Sequence, residues 1–402
     1  MNVTIATLAT PGFVFSSLAV ARALRARGHA VAFVTDGAYA PVLAEHGFAR
    51  LPNGADDLSS FQLDGWFDPM RIAAQVKHLA GALAASRPDV ILASNLAMGP
   101  LLVRRLVTVP VAVLGSAVFL WPGLRASDES GDAALEARLA WRYADQMRHL
   151  TRAAELLGIV LGEAPYERSP LFGDRYLLQG VPGLQRRRAM LPRAARFVGP
   201  CTFDAVAALA DDDAAWLAAQ RAHGRRIVYA QLGPVFEKPS VWAAFRRRLA
   251  RGDIAAVVCT ERHDRPLDDA PPNALVRVRV PQDAVLPHAD AVLCTGHPTA
   301  VLGALAHGVP LVIAPSGSGS EELAEACVRR GAALDVIAAR DGGEDDDVFP
   351  RALDRLLDDA SFARAAAELR DELAAFDGPA NVCRELEELV AAQSCVPAGG
   401  AA

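Results

Sequence analysis

Residues 295–299, with the sequence TGHPT, contain residue types that suit the binding of an anion. They follow an apolar run, residues 291–294, and precede a run with helical spacing, residues 301–307. A helix that begins at such a turn offers unpaired backbone N–H groups and the positive end of its dipole to a phosphate. His297 and Thr299 could add side-chain hydrogen bonds, whereas the alternative is that Thr299 only caps the helix.

The six cysteines lie far apart in the sequence, with neither a CxxC pair nor a Cys/His cluster. Structural zinc sites and disulfide frameworks need such clusters, so we expect no metal site and a location in the reducing cytoplasm. The chain opens on a strand-like run, and we therefore expect no signal peptide. No apolar run reaches the ~18–20 residues of a membrane span.

The composition is that of a globular protein and excludes intrinsic disorder. Of 402 residues, 52% are hydrophobic and 22% charged, and the net charge is −6. This net negative charge argues against a protein that binds nucleic acid through a basic surface. Lys77 and Lys238 are the two lysines among 41 basic residues, and we attribute this bias to a GC-rich genome. At about 150 residues per domain, the length indicates two or three domains.

Apolar runs alternate with helical runs along both halves of the chain. A run at residues 3–8, a helix at 16–27 ended by Gly28, and a run at 30–34 predict a βαβ unit. The predicted strands are residues 3–8, 30–34, 89–93 and 109–114 in the first half, and 227–232, 255–259, 275–280, 291–294 and 311–314 in the second. Such alternation predicts α/β domains with doubly wound parallel sheets.

The expected boundaries give an N-terminal domain at residues 1–195 and a C-terminal domain at 196–378. Residues 379–402 are expected to form a helix that packs back and a disordered tail. A basic, proline-containing stretch at 185–193 is interpreted as a linker, and a charged helical segment at 125–165 interrupts the alternation. Two such domains are expected to bind a ligand in the cleft between them.

Five segments resemble, in order and spacing, the GT-B glycosyltransferases of natural-product biosynthesis, the UDP-glycosyltransferase-like branch that modifies macrolides and polyketides. They are LAVARALRARGH at 18–29, FVGP at 197–200, VYAQLG at 228–233, VPQDAVLPHAD at 280–290 and ALAHGVP at 304–310. The resemblance covers nearly the whole chain. It implies two Rossmann-like domains that face each other across a cleft, an acceptor bound by the first and a nucleotide-sugar by the second. We expect no resident cofactor, and a nucleotide-sugar would enter as a substrate.

The resemblance also shows which chemical positions have changed. The family's general base is a histidine directly after the glycine of the first βα turn, and here Phe13 follows Gly12. The family's orienting aspartate corresponds to Ser94. Since phenylalanine carries no proton, an acceptor hydroxyl would need another base, and Asp64 and Asp68 are candidates.

The donor positions differ from the family's pattern in a similar way. Thr295, Ala300 and Gly303 occupy the places of a histidine and a threonine that hold the pyrophosphate and a glutamate that holds the ribose. Arg279 replaces the aromatic residue that stacks on the base, and Pro234 replaces a serine or threonine. Gly319 and Ser320 stand where an acidic residue and a glutamine read the sugar hydroxyls. The candidate donor-binding residues are Thr295, Gly296, His297, Thr299, Arg279, Gln282, Ser320 and Glu321.

The family builds its acceptor pocket from segments that are aromatic in this chain. The candidate pocket residues are Phe13, Phe15, Trp66, Phe67, Phe119 and Trp121. They could form the floor of a site for a small hydrophobic natural product, and the alternative is ordinary core packing.

Three alternative functions are compatible with a chain that has the family's scaffold segments but different residues at its catalytic and donor-binding positions. The first is a divergent glycosyltransferase that works without the histidine–aspartate dyad. The second is a repurposed enzyme that uses the same cleft for another reaction, such as a cyclisation or condensation of a pathway intermediate. The third is a non-catalytic partner of an active glycosyltransferase; a homodimer is a further possibility for the assembly.

Overall fold

The computed structural model describes residues 1–52, 59–122, 133–186, 191–204, 208–231, 239–260, 267, 269–315, 319–336 and 347–394. Within them the chain forms two compact units. Unit 1 comprises Met1–Phe203 and Phe376–Ala402, and unit 2 comprises Asp204–Ala375. Position 234, the tail from residue 397 and parts of the predicted segments 125–165 and 185–193 lie outside the described residues.

Unit 1 is built on a seven-stranded parallel sheet with the order β3-β2-β1-β4-β5-β6-β7. Its strands are β1 (Asn2–Ala6), β2 (Ala30–Val34), β3 (Ala49–Arg50), β4 (Val90–Ser94), β5 (Val111–Leu114), β6 (Arg175–Leu178) and β7 (Ala195–Phe197). Its helices are α1 (Pro11–Ala26), α2 (Ala40–Glu45), α3 (Pro69–Ser86), α4 (Gly99–Val103), α5 (Ala133–Leu156) and α13 (Gly378–Ser394). The predicted parallel α/β architecture is confirmed.

Alternate residues of the central strands point into two different apolar cores, one on each face of this sheet. Val90 and Leu92 of β4 join the core that α1 and α13 cover, here called core A. Ile91 and Ala93 join the core that α3, α4 and α5 cover, called core B. This period of two is expected for a strand buried on both faces.

Unit 2 contains a six-stranded parallel sheet with the order β10-β9-β8-β11-β12-β13. Its strands are β8 (Arg226–Gln231), β9 (Ile254–Cys259), β10 (Ala274–Arg277), β11 (Ala291–Cys294), β12 (Leu311–Ile313) and β13 (Ala333–Asp335). Its helices are α6 (Asp211–Ala222), α7 (Pro239–Leu249), α8 (Gln282–Val285), α9 (Pro298–Ala306), α10 (Ser320–Arg329), α11 (Val348–Asp358) and α12 (Ala360–Ala374).

A buried arginine in unit 2 connects α7 to the segment before β9 and to α11. The Arg248 side chain, at the end of α7, is 2% exposed. It donates two hydrogen bonds to Asp253, at 2.6 and 2.8 Å, and one to Asp354 of α11 at 2.5 Å. The Asp253 carboxyl has its pKa held at about 2, first by the hydrogen bond from Arg248. Arg226 and Arg251 also pair with these carboxylates.

The described part of the chain has no helix that combines the length and the apolar composition needed to cross a membrane.

Candidate functional site

The turn between β11 and α9 brings together several of the expected donor-binding residues. Gly296 has φ of +79°, a conformation that favours glycine. A Cβ on Gly296 would lie 2.9 Å from Cβ of Ser320 and 3.1 Å from Cγ2 of Ile313. The glycine therefore lets the turn pack directly against the first residue of α10. Thr295 is buried immediately before it.

Helix α9 begins at Pro298, and His297 occupies its N-cap position without a side-chain capping bond. Proline suits the first helical position because its φ is already fixed and its missing N–H would have no partner there. Thr299 is consequently the second residue of the helix, so the alternative interpretation of Thr299 as the N-cap is wrong. His297 is exposed, as is Arg279 in the segment after β10.

Gln282, the first residue of α8, fills the space beside Gly303. A Cβ on Gly303 would lie only 2.7 Å from Nε2 of Gln282. The same amide nitrogen donates a hydrogen bond to the Thr299 carbonyl at 3.4 Å. The Asp204 carboxylate accepts a hydrogen bond from the backbone N–H of Asp283 at 2.8 Å, which fixes the start of α8. Gln282 is thus held against the first turn of α9, while Glu321 lies in the first turn of α10.

Cys294, the residue that precedes the turn, is fully buried. Burial raises the pKa of its thiol to about 12, so the thiol stays protonated at neutral pH and is a poor nucleophile or metal ligand. Across the described ranges, His, Cys, Asp and Glu side chains form no group of three that could hold a metal ion.

In unit 1, Phe13 and Phe15 belong to different cores. Helix α1 begins at Pro11 rather than at residue 16, so Phe13 lies in its first turn. The Phe13 ring packs against core B. Phe15 packs against core A, and its ring is stacked on that of Phe203, with centroids 6.1 Å apart. The two rings therefore do not share a pocket wall.

Ser94, the last residue of β4, makes a structural contact. Its Oγ accepts a hydrogen bond from the backbone N–H of Leu8 at 3.0 Å. The side chain is buried and satisfies a donor at the end of β1.

Phe119 and Trp121 are in core B, not on an open surface. They are 6% and 3% exposed. Their centroids lie 5.3 Å apart, and each packs edge-on against Tyr176, at 5.9 and 5.0 Å. The structure thus gives both residues the core-packing role that was the alternative to a pocket.

A pocket of about 530 Å³ in unit 1 joins three of the expected residues, Asp64, Trp66 and Phe67. It lies where the chain leaves β1 and β2, at the carboxyl edge of the sheet, where ligands of such sheets bind. We call it the β1–β2 pocket. Its lining residues are Ala9, Asp36, Ala38, Tyr39, Gln62, Leu63, Asp64, Trp66 and Phe67.

The two candidate bases have different surroundings. The Asp64 carboxylate lines the β1–β2 pocket and accepts a hydrogen bond from the guanidinium of Arg71. Oδ1 of Asp68 accepts a hydrogen bond from the backbone N–H of Met70 at 2.9 Å and caps α3, and Oδ2 lies 3.6 Å from Nε of Arg71. Asp68 therefore orders the helix start, whereas Asp64 faces the pocket.

The sequence analysis missed Asp36, Tyr39 and Gln62 as pocket residues. Asp36 directly follows the predicted strand 30–34, and residues in that position meet at the carboxyl edge of a parallel sheet. That signal could have identified Asp36. Nothing in the sequence indicates that the segment around Gln62 returns to the same edge.

Sequence comparison finds similarity to proteins of natural-product biosynthesis. Residues 247–389 match the model of the erythromycin biosynthesis protein CIII-like, C-terminal domain. The 4'-demethylrebeccamycin synthase of Lentzea aerocolonigenes is 28% identical over 97% of this chain and 99% of that protein. The demethyllactenocin mycarosyltransferase of Streptomyces fradiae is 32% identical over 48% of this chain and 41% of its own length.

Solved structures share the fold over nearly the whole chain. The glycosyltransferase of kitacinnamycin superposes with a TM-score of 0.76 at 22% identity, covering 97% of this chain and 99% of that one. SnogD from Streptomyces nogalater gives a TM-score of 0.69 at 23% identity, with the same coverage. The protein accordingly has the GT-B fold, is similar in sequence to proteins of natural-product biosynthesis, and matches the EryCIII-like C-terminal domain over residues 247–389.

Proposed function

We propose that this protein transfers a sugar from a nucleotide-activated donor to a small hydrophobic acceptor, which unit 1 binds in the β1–β2 pocket. The observation that carries the proposal is an aromatic-walled pocket at the carboxyl edge of the N-terminal sheet. It occurs in a chain that aligns over 97% of its length with 4'-demethylrebeccamycin synthase.

The acceptor side has the size and the surface of a small-molecule site. A volume of about 530 Å³ lies within the range of roughly 300–1,000 Å³ that is usual for ligand pockets. Leu63 and Phe67 line it while remaining 49% and 48% exposed. A hydrophobic acceptor that covered these side chains would gain the free energy of removing their apolar surface from water.

Asp64 is the residue we assign as the acceptor's general base. A neutral hydroxyl is a weak nucleophile and needs a base within hydrogen-bond reach, which Phe13 cannot supply. Asp64 is a carboxylate in the pocket lining, and its ion pair with Arg71 fixes its orientation. An acceptor with an acidic hydroxyl would lower the demand on this base further.

On the donor side, we assign the diphosphate to the turn before α9. Helix α9 offers free backbone N–H groups and a positive dipole end, and His297 and Thr299 are next to them. Gln282, Ser320, Gly296 and Thr295 surround the same turn. Arg279 and Glu321 complete the proposed set.

Calorimetry with UDP and dTDP tests the donor site. We expect wild-type protein to bind at least one of them and Gly296→Ala to lose it, because a Cβ at φ of +79° would push the turn away from Ser320. Gly308→Ala is the matched control: Gly308 also has positive φ, +71°, but it ends α9, and its Cβ would have no neighbour nearer than 3.5 Å. A wild-type protein that binds neither nucleotide, with acceptor present, would contradict the proposal.

A second candidate function rests on the pair Phe13 and Ser94, which leave the family's dyad positions without acid–base chemistry. In that case the protein converts a pathway intermediate by cyclisation or condensation without a sugar donor. Turnover of an intermediate in the absence of any nucleotide-sugar would support this function, and an absolute requirement for the donor would exclude it.

A further inference from the structure

The β1–β2 pocket has an uneven charge distribution. Among its described lining residues are two carboxylates, Asp36 and Asp64, and no lysine, arginine or histidine. The two acidic residues come from separate segments, one after β2 and one in the short 3₁₀ turn Leu63–Phe67. A ligand in this pocket therefore meets carboxylates from two separate parts of the chain.

Asp36 carries the less compensated of these two charges. The Asp64 carboxylate is paired with Arg71, which it shares with Asp68. Asp36 instead accepts one hydrogen bond at Oδ1 from the backbone N–H of Ala38, at 2.9 Å. A backbone N–H orients the carboxylate without neutralising its charge, and Oδ2 of the same group is the second acceptor.

Two arginines lie near these carboxylates. The Arg50 guanidinium lies on the Gly37 side of the loop, 3.7 Å from the place of a Cβ on Gly37. Its Nε donates a hydrogen bond to the Thr35 carbonyl at 2.9 Å. Arg50 and Arg71 both lie outside the lining set.

Three aromatic side chains complete the lining: Tyr39, Trp66 and Phe67. The Trp66 and Phe67 rings meet edge to face, with centroids 5.3 Å apart and planes at 88°. Both rings belong to the pocket lining, where an aromatic ligand can pack on them. Aromatic faces attract cations through the ring quadrupole, most strongly where water is excluded.

We infer that the ligand of the β1–β2 pocket is an aromatic molecule that carries a positively charged nitrogen, with the nitrogen bound by the Asp36 carboxylate and the aromatic body packed on Trp66 and Phe67. This inference deepens the proposed function, on which it rests, by naming the acceptor class as aromatic molecules that carry a strongly basic, protonated nitrogen. It is carried by the combination of an open pocket of ligand size, aromatic side chains in its lining, and the Asp36 carboxylate, which forms no ion pair with the described residues.

The test compares two dyes with the same ring system, 9-aminoacridine and acridine, at a pH where the first is a cation and the second is neutral. Binding to the full chain is followed by dye fluorescence, with no nucleotide present. We expect 9-aminoacridine to bind about tenfold more tightly than acridine, the ratio typical of one charge-assisted contact. Added salt should reduce this preference.

Asp36→Asn should remove most of the preference while keeping the fold, because the asparagine oxygen can still accept the hydrogen bond from Ala38. Glu163→Gln is the matched control, since Glu163 is exposed, belongs to unit 1 and is not in the lining set. It changes the net charge equally and should leave both affinities unchanged. Trp66→Ala should weaken both dyes, which locates them in this pocket.

Equal affinity for the two dyes would overturn the inference, and so would no binding of either dye or equal effects of Asp36→Asn and Glu163→Gln. The dye experiment is independent of the calorimetry with nucleotides. Selective binding of 9-aminoacridine without nucleotide binding would support the inferred ligand class and contradict the proposed sugar transfer. Nucleotide binding without dye binding would support the sugar transfer and contradict the inferred ligand class.

Discussion

The Gln282 side chain fills the space beside Gly303. This packing predicts that Gly303→Ala destabilises the protein when Gln282 is present and stabilises it when Gln282 is replaced by alanine. The perturbation is Gly303→Ala, made in the wild type and in Gln282→Ala. A Cβ on Gly303 would lie 2.7 Å from Nε2 and 3.1 Å from Cδ of Gln282, well inside van der Waals contact. Both residues are buried, so the amide can leave only by giving up its hydrogen bond to Thr299.

Two opposing contributions set the magnitude. Alanine is favoured over glycine in a helix interior by about 0.5–1 kcal/mol. Forcing extra atoms into a packed site costs about 1–3 kcal/mol. We therefore expect Gly303→Ala to destabilise α9 by about 1 kcal/mol in the wild type. With Gln282→Ala the steric cost disappears, and the same change should stabilise α9 by about 0.5–1 kcal/mol.

The local stability of α9 can be measured by amide hydrogen exchange in the full-length chain, followed on peptides from α9. A loss of about 1 kcal/mol makes exchange through opening about fivefold faster, and the double variant should exchange more slowly than Gln282→Ala alone. Gly81→Ala is the control, because Gly81 is exposed in α3 and its Cβ would meet nothing within 4 Å. If Gly303→Ala has the same sign in both backgrounds, Gln282 does not fill this space.

Two further predictions concern charges. Arg248→Met should lower the free energy of unfolding of unit 2 by about 2 kcal/mol in urea titrations, because it breaks a buried ion pair whose carboxylates keep other partners. Arg247→Met, at an exposed surface pair, should cost less than about 0.5 kcal/mol, and equal losses would show that burial is irrelevant here. Hydrogen bonds from Arg27 and then His29 lower the pKa of Glu387 to about 2. This folded-state pKa lies below the unfolded value of about 4.3, so ionised Glu387 stabilises the folded protein at pH values above about 4.3. The difference in free energy of unfolding between wild type and Glu387→Gln should therefore shrink as the pH falls from about 4.3 to 2. A constant difference over this range would contradict the assignment.

The sequence predicted the longer strands and the helices that position both candidate sites, because apolar runs and glycine stops mark them clearly. It missed β3, β6, β7 and β13, which have only two to four residues each. Each of the missed strands contains a charged residue, so no continuous apolar run marks it in the way that the equally short β11 and β12 are marked. The pairing of such strands depends on the neighbouring strand rather than on their own composition.

The candidate sites could be predicted only in part. Motif position located the turn before α9, but not the contact between Gln282 and Gly303, which joins residues 21 positions apart. Composition also could not separate Trp66, which lines a pocket at the edge of core B, from Trp121, which is buried inside that core. Both are tryptophans in aromatic segments, and only packing around them distinguishes their roles.

The return of α13 to unit 1 has a consequence for the order in which the protein can fold during synthesis. Val382, Cys383 and Leu386 of α13 complete core A, against which α1 already packs. The ribosome makes these residues about 200 positions after the first sheet, once all of unit 2 has been translated. Unit 2 is continuous and can fold as soon as it emerges, whereas core A stays incomplete until α13 has been made. During synthesis, the N-terminal part of the chain therefore keeps apolar surface exposed for longer than unit 2 does.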